Sequence, residues 1–356
     1  MGSTGRASKE DWADRVAAKV AAAQEVLAEQ VAALRSGEDW KRFLDFQARL
    51  HAYSPGNCML IQVAHALAFA AGAVPTPEPT YVAGFNTWKA LGRSVDKGQH
   101  GYAILAPMTG HRRVAVDGQG QVRPLGTEDG ARSGEIEERR RQLFGFKVEY
   151  CFEVGQTSGE PVPEPTRPKL LEGEAPPGLG VAVLRLIESR GFTVDTVPDA
   201  RAIQGANGQT TWATRSVVVR ADMDDAAMVK TLIHEAAHCL LHEDPAGQLV
   251  PRSLQEVEAE SVAYVVASAH GMPTDEYTFP YVAGWAGEDP NAAVLATQRR
   301  VAQAAKTIIE VSPAEHSSGG KVPGADQALE AARARRAELT GGFSAAEEPA
   351  VAVVGP

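Results

Sequence analysis

The stretch 231-TLIHEAAHCLLH-242 carries His-Glu-x-x-His once, inside a run whose apolar spacing reads as helix. On a helix, residues four apart share one face, about 6 Å apart along the axis. His234 and His238 therefore offer two imidazoles to one tetrahedral ion. Glu235 sits at the edge of that face, where it serves as a base toward an attacking water rather than as a ligand. HExxH also arises by chance, so the reading needs support from the neighbouring sequence.

The segment 253-SLQEVEAESVAYVVAS-268 supplies it. It predicts a second helix, folded back beside the first after a turn holding Gly247 and Pro251. Glu256 and Glu260 lie four apart, and Ala263 and Ala267 continue their face with side chains small enough for close approach. Two glutamates on such a face are costly to bury unpaired, and a dication removes that cost. Glu256 is the expected third ligand, and Glu260 the acceptor for the other ring nitrogen of a ligand histidine. Glu258 is expected to point away into solvent. His242 would ligate only if the helix broke after His238; no glycine stands where that break requires one, so it reads as a supporting histidine, and Cys239 as core. A His₂Glu set with an open position favours Zn²⁺. The spacing LIHEAAHCLLH…EVEAESVAY resembles the ImmA/IrrE metallopeptidases over residues 178–311. That resemblance implies a zincin-like domain with zinc-dependent peptide hydrolysis, often aimed at one regulator protein. The strand 216-SVVVR-220 is a candidate for adding an extended peptide, and Tyr264, His270 and Tyr277 are candidates for stabilising the transition state.

The front half has another character. Residues 1–160 hold 19 basic and 19 acidic side chains, so the whole net charge of −10 falls after residue 160. Such asymmetry points to different partners for the two halves. Aromatic Tyr53 and Trp88 interleave with Lys89, Arg93, Lys97, Arg112 and Arg113, and Asn57 adds hydrogen-bonding capacity. These eight residues are compatible with holding a single strand, which needs a cationic groove with aromatic stacking faces, and they are the candidate contacts if DNA is the partner. Trp88, on a short helix, reads more readily as core than as a stacking platform. Two runs, 52-AYSPGNCMLIQVA-64 and 80-TYVAGFNTWKALGRSVDKGQHGYAILAPM-108, with 152-FEVGQTSGEP-161, resemble the N-terminal domain of ArdC-type antirestriction proteins. That resemblance implies single-stranded-DNA binding, and the family's joining of this domain to a metallopeptidase-like one implies protection of a mobile element's incoming DNA.

The expected organisation is α+β in two domains: a helix-plus-small-sheet DNA-binding domain at 9–160, a Pro/Glu linker at 161–177, and the HExxH domain at 178–311. A disordered tail is expected at 312–356, with at most a marginal helix at 325–339. Residues 117–142 read as a long exposed hairpin loop. The three cysteines form no CxxC pair and no apolar run is long enough to span a bilayer, which together with an N-terminus lacking an apolar stretch suggests a cytoplasmic protein. An alternative of another class is a regulatory metalloprotease that cleaves a repressor, its front domain serving only to dock the substrate.

Overall fold

The computed structural model describes residues 9–126, 129–163, 173–243, 250–275, 277, 279 and 290–341. Helices α1 (Lys9–Ala33), α2 (Gly37–Arg49) and α3 (Pro55–Ala70) come first. Ser36 caps α2 in a reciprocal box with Asp39, and Ser54 with Pro55 at the first position starts α3, both by the capping chemistry expected of those residues. Then follow β1 (Val82–Gly84), α4 (Phe85–Ala90), β2 (Arg93–Val95), β3 (Tyr102–Val116), β4 (Val122–Pro124), β5 (Ile136–Glu153) and β6 (Thr157–Gly159). They pair as β1-β5-β3-β4 and β2-β6. The expected loop at 117–142 is shorter than predicted, because β5 pairs with β3 back to Ile136 and the two strands form one long arm.

The second half contains α5 (Leu179–Ser189), β7 (Thr193–Val197), β8 (Gly208–Thr211), β9 (Ser216–Arg220), α6 (Asp225–Leu241), α7 (Arg252–Ala269) and α8 (Pro290–Val311). Its sheet has the order β7-β9-β8. The peptide-docking edge expected at 216–220 is therefore taken: β9 is central, bonded on both sides, and β8 is the open edge beside α6.

The halves are not separated at 161–177, of which 164–172 lie outside the described residues. One core cluster joins Trp40, Phe43 and Leu44 of α2 to Val262, Tyr264 and Val265 of α7. Polar contacts fix that seam: Trp40 Nε1 donates to Ser261 Oγ at 2.9 Å, and the Tyr264 hydroxyl donates to Asp45. Among the described residues no helix is long and apolar enough to cross a membrane.

The expectation of a disordered tail fails for residues 312–324, the helix expected at 325–339 is present, and 342–356 lie outside the described residues. Ser317 N donates to Ala269 O at 2.8 Å, Val82 N to Gly320 O at 2.8 Å, and Ala52 N to Gly319 O at 3.3 Å. Gly320 has φ +82°, and a Cβ there would meet Leu50 Cδ2 at 2.3 Å, so only glycine fits the crossing. Val322 is buried with Tyr81, Ala83 and Trp88, and α9 (Ala325–Gly341) packs on α4. Low hydrophobicity hid this strap, because backbone hydrogen bonds and one valine do the docking. Val322→Ala should lower stability by about 1–3 kcal/mol in thermal unfolding, where a disordered tail would give no change.

His270 is fully buried under the strap; its Nδ1 donates to Val266 O at 2.8 Å, and its Nε2 lies 2.9 Å from Ser312 Oγ. Desolvation lowers its pKa from the ordinary 6.5 to about 4, against the pull of Val266 O. The unfolded chain then binds a proton that the folded chain refuses, so stability falls as pH drops from 6.5 toward 4. Melting curves across this window should flatten in His270→Gln relative to the unaltered protein.

Candidate metal centre

Asp224 caps α6, its carboxylate accepting from Ala227 N at 2.8 Å. The helix then runs unbroken through His238, which keeps His234 and His238 on one face. Against that face α7 lies close, since Ala259, Ala263 and Ala267 are all buried between the helices. The three predicted ligands meet. His234 Nε2 is 3.2 Å from His238 Nε2, and Glu256 Oε2 is 3.4 and 3.6 Å from these nitrogens. A tetrahedral ion with bonds of about 2.0–2.1 Å separates its ligands by about 3.3–3.4 Å. Among the described residues this is the one group of three or more metal-ligating side chains with atoms within 4.8 Å of one another.

The surrounding hydrogen bonds decide the tautomers. His234 Nδ1 stands 3.0 Å from Glu260 Oε2 and donates to it, as expected for Glu260. His242 Nε2 donates to Glu258 Oε2 at 3.0 Å, and burial works first to lower the His242 pKa and keep the ring neutral. A neutral ring with Nε2–H has a bare Nδ1, so His242 accepts from His238 Nδ1, 3.0 Å away. With Nδ1 donating in both, each of the two histidines turns Nε2 to one point, where a bound cation would meet their lone pairs. Glu258 is fully buried rather than solvated, which corrects the sequence reading. Its second oxygen accepts from Arg300 of α8, with Nε at 2.9 Å.

The centre attracts positive charge. Burial works against a charged His234, but hydrogen bonds to Glu256 and Glu260 outweigh it and lift its pKa to about 9. Hydrogen bonds from His234 and His238 hold the Glu256 carboxyl far below the usual carboxylate range. Two facing lone pairs and a carboxylate oxygen are repulsive without a cation or proton among them, and the donor set fits a divalent ion.

Glu235 is buried beside this point, its Oε2 accepting from Thr210 Oγ1 of β8 at 2.6 Å. Gly208 lets β8 come so close: a Cβ there would stand 2.7 Å from Glu235 Oε1. The open space is a cleft of about 830 Å³ between β8, α6 and α7, lined also by Trp212 and Tyr277. Of the three transition-state candidates only Tyr277 borders it. Tyr264 is spent on Asp45, and His270 lies under the strap.

The eight candidate DNA contacts do not gather into one groove. The Tyr53 hydroxyl donates to Val82 O at 2.6 Å, and Asn57 clamps Leu105 by donating to its carbonyl and accepting from its N–H. Trp88 is fully buried and donates to Phe152 O at 3.0 Å. Arg93 bonds Thr157 through Nε and Nη2 and stacks over Trp88. These four side chains are committed to the fold, which corrects their reading as free contacts. Lys89 and Lys97 are exposed near α4, and Arg112 and Arg113 stand on the arm. Arg300 and Glu258 were missed: neither lies at a ligand spacing, and Arg300 is 42 residues further along the chain.

Residues 10–149 match the family model of the N-terminal domain of anti-restriction factor ArdC. The uncharacterized protein pXO2-81 of Bacillus anthracis is 25% identical over 271 residues, 70% of this chain and 43% of that protein. The chain therefore spans less than half the length of that relative. Among solved structures, the metal-free antirestriction protein ArdC from the R388 plasmid superposes with a TM-score of 0.42 at 18% identity, covering 73% of this chain and 85% of that one. Its Mn(II)-bound form gives 0.40 at 18% identity, covering 76% and 98%.

Metal titration tests the centre directly. Zn²⁺ and Mn²⁺ should raise the melting temperature of the unaltered protein and leave that of His238→Ala unmoved. Glu258→Gln, which weakens the acceptor behind His242, should reduce metal affinity about 10–100-fold by calorimetry.

Proposed function

We propose that the protein is an antirestriction factor of the ArdC kind, binding single-stranded DNA through its front half and hydrolysing a peptide bond in the cleft. The front half carries the family match. What supports the chemistry is the convergence of His234, His238 and Glu256 beside a buried Glu235. When bound, a divalent ion, zinc by the donor set, supplies a Lewis acid for a carbonyl and lowers the pKa of water.

The chain's own residues do the rest. Glu235, oriented by Thr210, takes the proton from the attacking water and passes it to the leaving nitrogen. An extended peptide pairs with the open edge of β8, which runs past Glu235 at Gly208. Trp212 Nε1 is buried in the cleft wall with no acceptor among the described residues, and offers a donor to a substrate carbonyl. Tyr277, on the cleft border, faces the developing oxyanion.

Glu235→Gln keeps the side chain's shape and removes the base. It should bind metal and oligonucleotide as the unaltered protein does, while its protection of a plasmid entering a restricting host falls with hydrolysis, about 10²–10⁴-fold. Full protection by Glu235→Gln would sink hydrolysis as the effector. If neither form protects, yet the unaltered protein cleaves a repressor, the regulatory-protease reading takes over.

A further inference from the structure

The arm of β3 and β5 carries a charge pattern that folding does not explain. Its register sets Arg112 opposite Arg140, Arg113 opposite Arg139, and His111 opposite Arg141. Like charges directly across two strands repel and weaken the pair. Residues 108–113 and 139–147 contain six Lys or Arg and no carboxylate. Some charge is offset nearby: Arg113 pairs with Glu137, Arg140 with Glu138, and Lys147 with Glu149. The Arg140 and Lys147 pairs are exposed on both sides and worth little, whereas half-buried Arg113 grips Glu137 through both Nε and Nη2. Arg112 reaches Gln142 Oε1 at 3.4 Å and Arg141 reaches Thr109 Oγ1 at 3.1–3.2 Å, both neutral groups.

The arm also has a flat aromatic surface. The register shifts between Met108, opposite Gly145, and Thr109, opposite Leu143, so Phe144 is the extra residue of a bulge. A Cβ on Gly110 would lie 2.8 Å from the Phe144 ring, which therefore rests on the bare glycine backbone. The side chain is 60% exposed, so the ring's outer side is open. Gly110 lies two residues from Arg112, and alternation along a strand puts both on one face. Phe144 thus adjoins the rung of Arg112 and Arg140. A ring open on one side beside paired guanidinium groups matches a base to be stacked and phosphates to be neutralised.

We propose that this arm is the element that grips single-stranded DNA, with Phe144 as the stacking platform and Arg112 and Arg140 as the phosphate clamp beside it. The proposal rests on the reading that single-stranded DNA is the partner, and it moves the contact from Tyr53, Asn57, Trp88 and Arg93 to the arm.

The test is fluorescence anisotropy of the full chain with a labelled oligothymidine strand across a salt series. Phe144→Ala should weaken binding about 5- to 150-fold, the equivalent of about 1–3 kcal/mol for one stacked base. Arg112→Ala with Arg140→Ala should weaken it at least about tenfold and reduce the salt slope by about 1.4, two contacts' worth. Lys89→Ala with Lys97→Ala is the comparison and should change binding less. If the arm variants bind like the unaltered chain while the lysine pair loses affinity, the arm is overturned and the α4 surface is the site. If the unaltered chain binds no strand at low salt, the single-strand reading itself fails, and the arm with it. Capture of the unaltered chain, but not the arm variants, by phosphatidylserine vesicles, with strand binding unaffected, would make the arm a membrane contact and overturn the proposal. Hydrogen exchange needs no variant: amides in 109–113 and 139–144 of the unaltered chain should slow on adding the strand, and unchanged rates would overturn the assignment.

Discussion

The cleft depends on holding two imidazoles in one orientation, with their Nε2 atoms 3.2 Å apart. No helix spacing secures that by itself, because an unheld ring takes either tautomer and turns about its own bond. For His234 the holding group is a half-exposed carboxylate, Glu260. For His238 it is a chain of partners reaching deeper: His242, then Glu258, then Arg300 from α8. Glu258 and the His242 ring are both fully buried, and a buried carboxylate without an ionic partner would cost several kcal/mol on the order given for charge desolvation. The arginine makes Glu258 tolerable, Glu258 fixes His242, and His242 fixes His238. The third helix thus belongs to the centre although it contributes no ligand.

The same helix that presents Glu256 and Glu260 to α6 presents Ser261 and Tyr264 to α2 on another side. One rigid element is shared between the front half and the cleft. The strap completes the bond between them: residues 317–322 hydrogen-bond the end of α7, the turn after α2 and the start of β1 in succession. Two domains joined by a linker would move as separate bodies. A shared core and a strap tied by backbone hydrogen bonds hold the cleft and the arm in one frame.

The convergence of these side chains was legible in the sequence because they sit at i, i+4 spacing on helices, where position along the chain translates directly into a direction. His234, His238 and Glu256 meet, and Glu260 stands behind His234. Legibility ended where a contact joins elements distant in sequence. Glu258 looked solvated because its own helix says only which way it points, not that α8 brings Arg300 to meet it. The same limit misplaced the peptide edge: the residues 216–220 read correctly as a strand, while its position between β7 and β8 is a matter of topology. The strap was misjudged for a different reason. Composition reports apolar burial, and a segment fastened by main-chain bonds through Gly319 and Gly320 has little to report.

The front half carries a further lesson about motifs. Tyr53, Asn57, Trp88 and Arg93 form a pattern that looks chemical, an aromatic and cationic alternation with an amide. Each of them is anchored to backbone: Tyr53 to Val82, Asn57 to both polar groups of Leu105, Trp88 to Phe152, Arg93 to Thr157. A side chain that replaces a ladder hydrogen bond or caps a buried carbonyl cannot be released to a ligand without leaving that group unpaired, at about 1–3 kcal/mol each. The residues most recognisable in the run are therefore those the fold spends on itself. A surface for any charged partner has to be sought where charge and aromatic area are left over after the fold is satisfied, which in this half directs attention to the arm.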